Sequence, residues 1–510
     1  MANEVGTAGN LEDLFGRIVS FLTTNADLVA ASQQWQVLRQ WRDNVVGIGV
    51  TSLVENSTYS ARRILHSFRY DPRSIGTNAP TGATGHVSCS SYSPGTSQVT
   101  MQLRVAKEVA SVRLVAPLDS DTNDMLQNFR LQYSDNNSTW TTALTVNSSP
   151  SYVLGEAKTF AVPGTPGAHV YWRIVIDRKQ SGATSGSVRW RSLLLLDSGG
   201  DIANHFGSEV LLKATGTSGS DAIYTGIRSE YDAANGWYNL FLNGYTGYDP
   251  NETSFFNQPG AINNWTNPTP LDVPMVPCWN TTMPYWFRAT GRVFSFGVKV
   301  STSYEGGYMG FILPYATPTQ YPYPLAVGGS LVPNDSDRSL PWRYSYNHYR
   351  HSAFMSPASW SNNSSTTSQT SAALYLRTPD GAWNNFGQRF SSSGTDASAL
   401  IEMTQSLSPP YARAGLRAGV WPNSVRNAGS ATSRRRDYRE VLGGGYVLQP
   451  FILHQRGPTD AVWGELDGCM AISGFSNAAE NTTTYGGTNY VILQNVARTE
   501  AHEYWAMALD

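Results

Sequence analysis

The stretch that decides the fold is Phe129-Arg-Leu-Gln-Tyr133, followed by the polar run Ser134-Asp-Asn-Asn-Ser138 and, further along, by Tyr171-Trp-Arg-Ile-Val-Ile176. The first and third of these stretches alternate apolar and polar residues with period two, which is typical of β-strands with one buried face. The polar run is rich in Asp, Asn and Ser, as tight turns are. The pattern therefore predicts antiparallel strands joined by short turns.

The same pattern extends over residues 51–200. Val109-Ala-Ser-Val-Arg-Leu-Val115 alternates in the same way, and Pro163-Gly-Thr-Pro-Gly167 and Ser181-Gly-Ala-Thr-Ser-Gly186 are turn-forming stretches. Short strands at this spacing predict a β-sandwich or jelly roll. We therefore expect a mainly β chain of sandwich or jelly-roll domains, with a short α-helical segment at its amino terminus.

Residues Val109 to Asp197 resemble a known family. The run Leu131-Gln-Tyr-Ser-Asp-Asn-Asn-Ser-Thr-Trp-Thr141, then Phe160, then Tyr171-Trp-Arg-Ile174, is similar to the discoidin-type (coagulation factor 5/8 C-terminal) jelly roll. The resemblance implies that residues 51–200 bind terminal sugars or phospholipid headgroups through their loops. The chain lacks the disulfide that closes many family members and has no match to their calcium-loop pattern.

Three residues of this module are candidate carbohydrate contacts. Trp140, Arg178 and Lys179 lie in or beside predicted loops. An indole there can stack on the apolar face of a pyranose, and cations can bond its hydroxyls. Alternatively, Trp140 packs within its own hairpin, and the two cations are solvated at a strand end. Trp172 lies mid-strand on the side expected to face the core, and is not a candidate.

Residues 1–50 are expected to form an α-helical docking segment. Asn10 is a candidate N-cap, and behind it the apolar residues recur at helical spacing: Leu11, Leu14, Phe15, Ile18, Val19 and Leu22. A second short helix is expected from Ala26 to about Arg42. The apolar stripe must be buried, either in a helical hairpin on the chain itself or against other subunits of an assembly.

Residues 201–510 are expected to form an aromatic-rich all-β region, either as one unit or as two subdomains. The region is similar to virion structural proteins of tailed bacteriophages at Tyr285-Trp-Phe-Arg288, along the run from Tyr304 to Leu325, at Gly464-Glu-Leu-Asp-Gly468, from Ser473 to Asn481, and at Tyr504-Trp505-Ala506. Such proteins are tail or baseplate components. The resemblance thus implies a structural component of a phage tail tip or baseplate, synthesised in the host cytoplasm and located in the virion.

The composition limits the possible partners. A net charge of −2, from 36 Lys+Arg and 38 Asp+Glu, argues against general nucleic-acid binding, which needs several cations per site. Only 5 of the 36 cations are Lys, and this bias, together with 27 Tyr and 15 Trp, is typical of surfaces covered by neighbouring subunits. No apolar run approaches the ~20 residues that span a bilayer. The expected partners are other virion tail proteins and copies of this chain, with a host-surface glycan as a ligand, but neither nucleic acid nor an inserted membrane.

No pattern in the sequence establishes catalysis. Glu230 with Asp232, and Glu465 with Asp467, have the i, i+2 spacing that places two carboxylates on one strand face, as glycoside hydrolysis requires. Both pairs also fit turns or loops. We therefore expect a protein that is not an enzyme. The alternative is a glycan-degrading tail enzyme, a polysaccharide depolymerase.

The remaining polar clusters point to no cofactor or metal. His348 and His351 lack acidic neighbours, and the cysteines fit neither a disulfide framework nor a zinc site: Cys89, Cys278 and Cys469. Arg434-Arg-Arg436 is interleaved with acids and fits a solvated or salt-bridged face, or alternatively a contact with phosphates.

Overall fold

The computed structural model describes residues 1–55, 64–68, 87–117, 122–233, 236–262, 273–330, 373–386, 417–421, 447–456, 461–473, 478–494 and 504–510. Most of these residues lie in antiparallel strands, which confirms the mainly β fold class. Within this part of the chain, no helix is long and apolar enough to cross a membrane.

The amino-terminal residues form, in chain order, β1 (Ala2–Ala8), α1 (Leu11–Thr24), α2 (Ala26–Ala30), β2 (Gln36–Trp41) and β3 (Val45–Thr51). The first predicted helix is confirmed. The Asn10 side chain accepts a hydrogen bond from the Asp13 amide at 2.9 Å, as an N-cap does. The apolar stripe of α1 is buried against the chain's own sheets, where the Phe21 ring lies 5.5 Å from that of Phe287.

The second predicted helix is wrong beyond Ala30. Residues 36–41 form the strand β2, which pairs with β14 (Glu209–Ala214). Arg39 on β2 donates a hydrogen bond of 2.6 Å to the Glu209 carboxylate. A weak local helical pattern is outweighed here by pairing with a strand far along the chain, which local sequence does not reveal.

Residues 45–206 form a β-sandwich. Its further strands are β4 (Val54–Glu55), β5 (Val87–Ser90), β6 (Gln98–Lys107), β7 (Ser111–Val115), β8 (Leu126–Ser134), β9 (Thr141–Val146), β10 (Ala157–Ala161), β11 (His169–Lys179), β12 (Val188–Trp190) and β13 (Ser192–Leu196). They form a five-stranded sheet, β3-β6-β11-β8-β9, and two three-stranded sheets, β10-β7-β13 and β12-β5-β4. Leu131 and Trp172 from the five-stranded sheet share one buried core with Leu114 and Leu193 from β7 and β13.

After β14, the described strands are β15 (Ile223–Asp232), β16 (Trp237–Tyr245), β17 (Met275–Cys278), β18 (Met283–Ala289), β19 (Val293–Val300), β20 (Ser303–Phe311), β21 (Leu313–Pro314), β22 (Leu325–Gly329), β23 (Ala373–Arg377), β24 (Trp383–Asn385), β25 (Arg417–Trp421), β26 (Val447–Arg456), β27 (Ala461–Ser473), β28 (Thr482–Tyr485), β29 (Thr488–Gln494) and β30 (Tyr504–Ala508). They form the sheets β17-β16-β15-β14-β2, β1-β18-β19-β20-β22-β23-β24 and β25-β26-β27-β30-β29-β28, with β21 beside β27. Residues 1–50 thus supply edge strands to three sheets. A docking role for them in an assembly stays a prediction.

The sandwich and the following sheets meet at Asp43, between β2 and β3. The Asp43 carboxylate accepts hydrogen bonds from the Gly207 amide at 2.8 Å, the Tyr231 hydroxyl at 3.1 Å and the Arg104 guanidinium at 3.1 Å. Arg104 belongs to the sandwich and Tyr231 to β15. One carboxylate therefore links both parts of the chain.

Candidate functional site

A groove lies on the face of the five-stranded sheet that points away from the sandwich core. Its volume is about 320 Å³, and it is lined by Gly47, Ile48, Gly49, Val50, Thr51, Gln98, Thr100, Gln102, Asn137, Trp140, Tyr171 and Arg173. On β11, Trp172 and Ile174 are buried in the core. Because side chains alternate along a strand, Tyr171 and Arg173 are on the groove side.

The strand register arranges these residues in rows across the sheet. Gly49 on β3 lies opposite Thr100 on β6, and Thr100 lies opposite Arg173 on β11. A Cβ atom added at Gly49 would meet the Thr100 Cβ at 3.8 Å, which is ordinary van der Waals contact. Glycine at this position therefore keeps the groove open, although the backbone would accept a side chain there.

The hairpin between β8 and β9 positions Trp140 beside β11. The Asn136 carboxamide oxygen accepts hydrogen bonds from the Ser138 and Thr139 amides, each at 2.9 Å, and so closes the turn. Trp140 follows this turn, and the guanidinium carbon of Arg173 lies 4.0 Å from the centre of its ring. This is a cation–π contact at the edge of the groove.

Arg173 is also held from the side of β8. Its Nε donates a hydrogen bond of 2.7 Å to Gln132, whose amide nitrogen donates in turn to the Thr142 hydroxyl at 2.9 Å. Burial, and then the charge of Arg130, lower the pKa of the Arg173 guanidinium. Arg130 itself donates hydrogen bonds of 3.0 and 2.8 Å to Asp177, which raise its own pKa.

Of the three residues predicted as carbohydrate contacts, Trp140 lines the groove. Lys179 is buried, and its ammonium donates hydrogen bonds to the Asp124 carboxylate at 2.7 Å and to the Ser187 carbonyl at 3.0 Å. Arg178 is exposed near the other end of β11, roughly 17 Å from Arg173 at ~3.3 Å per residue. A role in sugar binding stays a prediction for all three, but Arg178 and Lys179 do not line the groove.

Besides Trp140, the groove is lined by residues that sequence reasoning missed, namely Tyr171, Arg173 and Gln102. The alternation of side chains along the strand could have identified two of them, Tyr171 and Arg173. Trp172 is expected in the core, and it is fully buried, so its two neighbours must face the opposite side of the sheet. Gln102 could not be found in this way, because its place beside Tyr171 depends on strand pairing.

A second cavity, of about 230 Å³, lies at the junction around Asp43 and is bordered by Glu12, Arg104 and Tyr231. The Glu12 carboxylate accepts a hydrogen bond from the Ser229 hydroxyl at 2.6 Å and another from the Ser208 hydroxyl. Burial, and then repulsion from Asp43, raise the pKa of Glu12. Every carboxylate oxygen here is bonded to a protein donor, so the cluster is a polar junction between the two parts of the chain.

Of the four carboxylates that sequence spacing paired, Glu230 and Asp467 lie beside arginines. Glu230 is buried, with its carboxylate 3.5 Å from the Nε of buried Arg228. Asp467 accepts a hydrogen bond of 2.8 Å from Arg288. The side chain of Asp232 lies outside the described part of the structure.

The remaining features considered from the sequence are a metal site, the His and Arg clusters, and the three cysteines. Within the described ranges, no group of three or more His, Cys, Asp or Glu side chains is arranged to hold a metal ion. His348, His351 and the Arg434–Arg436 cluster lie outside the described residues. Cys89, Cys278 and Cys469 are all buried, and none of them forms a disulfide with another described residue.

Fold and site together define a class of module: an antiparallel β-sandwich with an open groove lined by aromatic and amide side chains. Solved structures that resemble part of the chain include carbohydrate-binding modules. No family model matches the sequence, and no curated protein matches it either.

Three of these neighbours show how far the structural similarity extends. The family 32 carbohydrate-binding module from Streptococcus pneumoniae EndoD is 14% identical, with a TM-score of 0.22 and coverage of 31% of this chain and 100% of that chain. The family 32 module of Clostridium perfringens NanJ, in complex with galactose, is 11% identical, with a TM-score of 0.20 and coverage of 29% and 97%. A third, from Clostridium perfringens in complex with GalNAc-β-1,3-galactose, is 12% identical, with a TM-score of 0.16 and coverage of 19% and 63%. At these values the likeness assigns no ligand to this chain.

Proposed function

We propose that this chain is a carbohydrate-binding protein and that the groove beside Trp140 is its glycan site. The observation that carries the proposal is the Trp140–Arg173 pair at the edge of a groove that is otherwise lined mainly by small and polar side chains. Aromatic rings stack on the apolar faces of sugars, while carboxamides offer both donors and acceptors to hydroxyls. Gln98, Gln102 and Asn137 supply such carboxamides around the groove.

The dimensions of the groove suit a short oligosaccharide. Its volume of about 320 Å³ is at the lower end of the ~300–1,000 Å³ of small-molecule sites. The groove lies on an exposed sheet face, so a longer glycan can extend beyond it. Recognition of a segment within a polymer is therefore compatible with its shape.

The test is binding of the full chain to a panel of surface glycans, measured by titration calorimetry. We expect saturable binding, and a decrease in affinity of about tenfold or more in Trp140→Ala. Trp279→Ala is the matched control, because Trp279 is 39% exposed and does not line the groove. Equal loss in both variants, or no binding of any glycan by the folded chain, would refute the proposal.

The finer proposal is that the chain is a structural component of a phage tail tip or baseplate that uses this site on host-surface glycans. It is supported by the similarity of residues 285–506 to virion proteins and by the Arg- and Tyr-rich composition typical of subunit interfaces. Its partners would be other tail proteins and copies of itself. Mass spectrometry of purified tailed particles from the source should detect the chain at a stoichiometry set by tail symmetry, and its absence from them would reject this role.

We further propose that binding occurs without cleavage. Glu230 is buried beside Arg228 and Asp467 is hydrogen-bonded to Arg288, so both carboxylates already have a partner within the protein. Incubation of capsule or lipopolysaccharide with the chain should release no reducing ends. Release that is abolished by Glu230→Gln or Glu465→Gln would instead establish the depolymerase alternative.

A further inference from the structure

We propose that the groove selects acidic sugars and binds the carboxylate of a uronic or sialic acid residue on the guanidinium of Arg173. The inference rests on the proposed function, since it names the class of glycan that the same groove takes. The observation behind it is that, within the described ranges, Arg173 has no carboxylate partner and the other residues that line the groove are uncharged.

The charge on the groove lining is positive and comes from Arg173. Arg173 is the one charged residue among the described residues that line it. Two other cations of the sandwich are paired, Arg130 with Asp177 at 2.8 Å and Lys179 with Asp124 at 2.7 Å. Across the part of the chain that the structure describes, Arg173 has no ion pair. A partly buried cation is stabilised when a ligand supplies the missing anion.

The geometry of Arg173 favours a carboxylate over other anions. Its Nε is taken by Gln132 at 2.7 Å, so the edge formed by Nη1 and Nη2 is the donor pair that remains. Among the described residues, neither Nη atom has a hydrogen-bond partner. Two parallel N–H groups match the two oxygens of a carboxylate. The contact with Trp140 at 4.0 Å further restrains the guanidinium, so little ordering is needed on binding.

The remaining groove residues suit the neutral part of such a sugar. Gln102 and Tyr171 lie opposite each other in the strand register, on the same row of the sheet. A carboxamide there can bond ring hydroxyls, and a tyrosine ring can cover an apolar sugar face. A neutral sugar of the same shape would cover the guanidinium without pairing it, which costs binding free energy. The groove should therefore discriminate by charge.

The experiment compares matched ligands with the full chain. Oligosaccharides of galacturonic acid, glucuronic acid and sialic acid are each paired with the same oligosaccharide after reduction of its carboxyl groups to alcohols. Titration calorimetry should show at least one acidic ligand binding about ten- to a hundredfold more tightly than its reduced counterpart. The preference should vanish in Arg173→Gln and be partly kept in Arg173→Lys, which retains the charge but not the paired donors. Lys213→Gln removes a charge from β14, outside the groove, and should leave the preference intact.

The outcomes separate the two proposals. Binding of neutral and acidic partners with equal affinity overturns the charge selection and leaves the glycan site in place. Absence of binding to every ligand by the folded chain overturns both. A preference that persists in Arg173→Gln overturns the assignment to Arg173. If that variant fails to fold, Arg173→Lys tests the assignment, because an undiminished preference there overturns it. The wild-type chain still tests charge selection, because the affinity for the acidic ligand must fall with added salt while that for the reduced ligand stays constant.

Discussion

The guanidinium carbon of Arg173 lies 4.0 Å from the centre of the Trp140 ring, on the sheet face opposite the sandwich core. Arg173 belongs to a strand and Trp140 to the end of a hairpin. Their contact forms only in the observed register of β8 and β11, in which Arg173 lies opposite Gln132. The pair therefore reports on the fold and on the candidate site together.

The coupling energy between Trp140 and Arg173 should be measurable in the unliganded chain. In a double-mutant cycle of Trp140→Ala and Arg173→Gln, we expect a coupling of about 0.5–1 kcal/mol, since the pair is partly exposed. The free energy of unfolding of the sandwich, followed by circular dichroism in urea, gives this coupling. Effects that add within about 0.3 kcal/mol would show that the two side chains do not interact in solution.

Filling the groove should weaken glycan binding without loss of stability. Gly49→Val adds a side chain where a Cβ has ordinary contact with Thr100, so the melting temperature should change by no more than about 2 °C. Glycan affinity should fall at least about tenfold because the valine occupies the groove. In contrast, Gly226→Ala would bring a Cβ within 2.6 Å of the Tyr245 hydroxyl and should destabilise the chain by about 1–3 kcal/mol. Unchanged affinity in Gly49→Val would place the site elsewhere.

Substitution of Lys179 should lower the free energy of unfolding. Substitution of Arg178 should change neither that free energy nor the affinity for glycan. Lys179→Met leaves the Asp124 carboxylate without its ammonium partner. We expect a loss of about 2–3 kcal/mol, less than the ~3–5 kcal/mol of a fully buried pair, because Asp124 is partly exposed and keeps Arg189 at 3.7 Å. Arg178→Met changes an exposed side chain and should stay within about 0.5 kcal/mol. Calorimetric melting with parallel glycan titration measures both, and a loss of affinity in Arg178→Met would locate the sugar at the loops, as the discoidin resemblance implies.

The junction should make stability depend on pH through Glu12. Its folded-state pKa is raised above the ordinary value of 4.5, so the folded chain binds the proton more tightly than the unfolded chain does. The stability that Glu12 contributes is therefore present below pH 4.5 and lost as the pH rises through the raised pKa. In Glu12→Gln this loss is absent. The melting temperature of the variant minus that of the wild type should be larger at pH 7 than at pH 5, and a constant or opposite difference would contradict the assignment.

Much of the architecture could be predicted from local patterns. The period-two alternation at Phe129–Tyr133 and Tyr171–Ile176 indicated strands, and β8 and β11 cover both stretches. The N-cap and the apolar stripe of α1 were visible in the same way. These features are local, since the side chains of neighbouring residues alone determine which face is apolar. β2 could not be predicted, because its partner β14 is distant in the chain.

By itself, the sequence determined that Trp172 faces the core and that its neighbours face away from it, since successive side chains of a strand point to opposite sides. It also determined that the chain is mainly β and near neutral. Only the tertiary structure decided which outward-facing residues share one groove. Strand register places Gly49, Thr100 and Arg173 in one row, and the hairpin turn brings Trp140 against the end of that row. Register depends on hydrogen bonds between strands far apart in the chain. For that reason Arg173 lines the groove beside Trp140, whereas Arg178 and Lys179 do not line it.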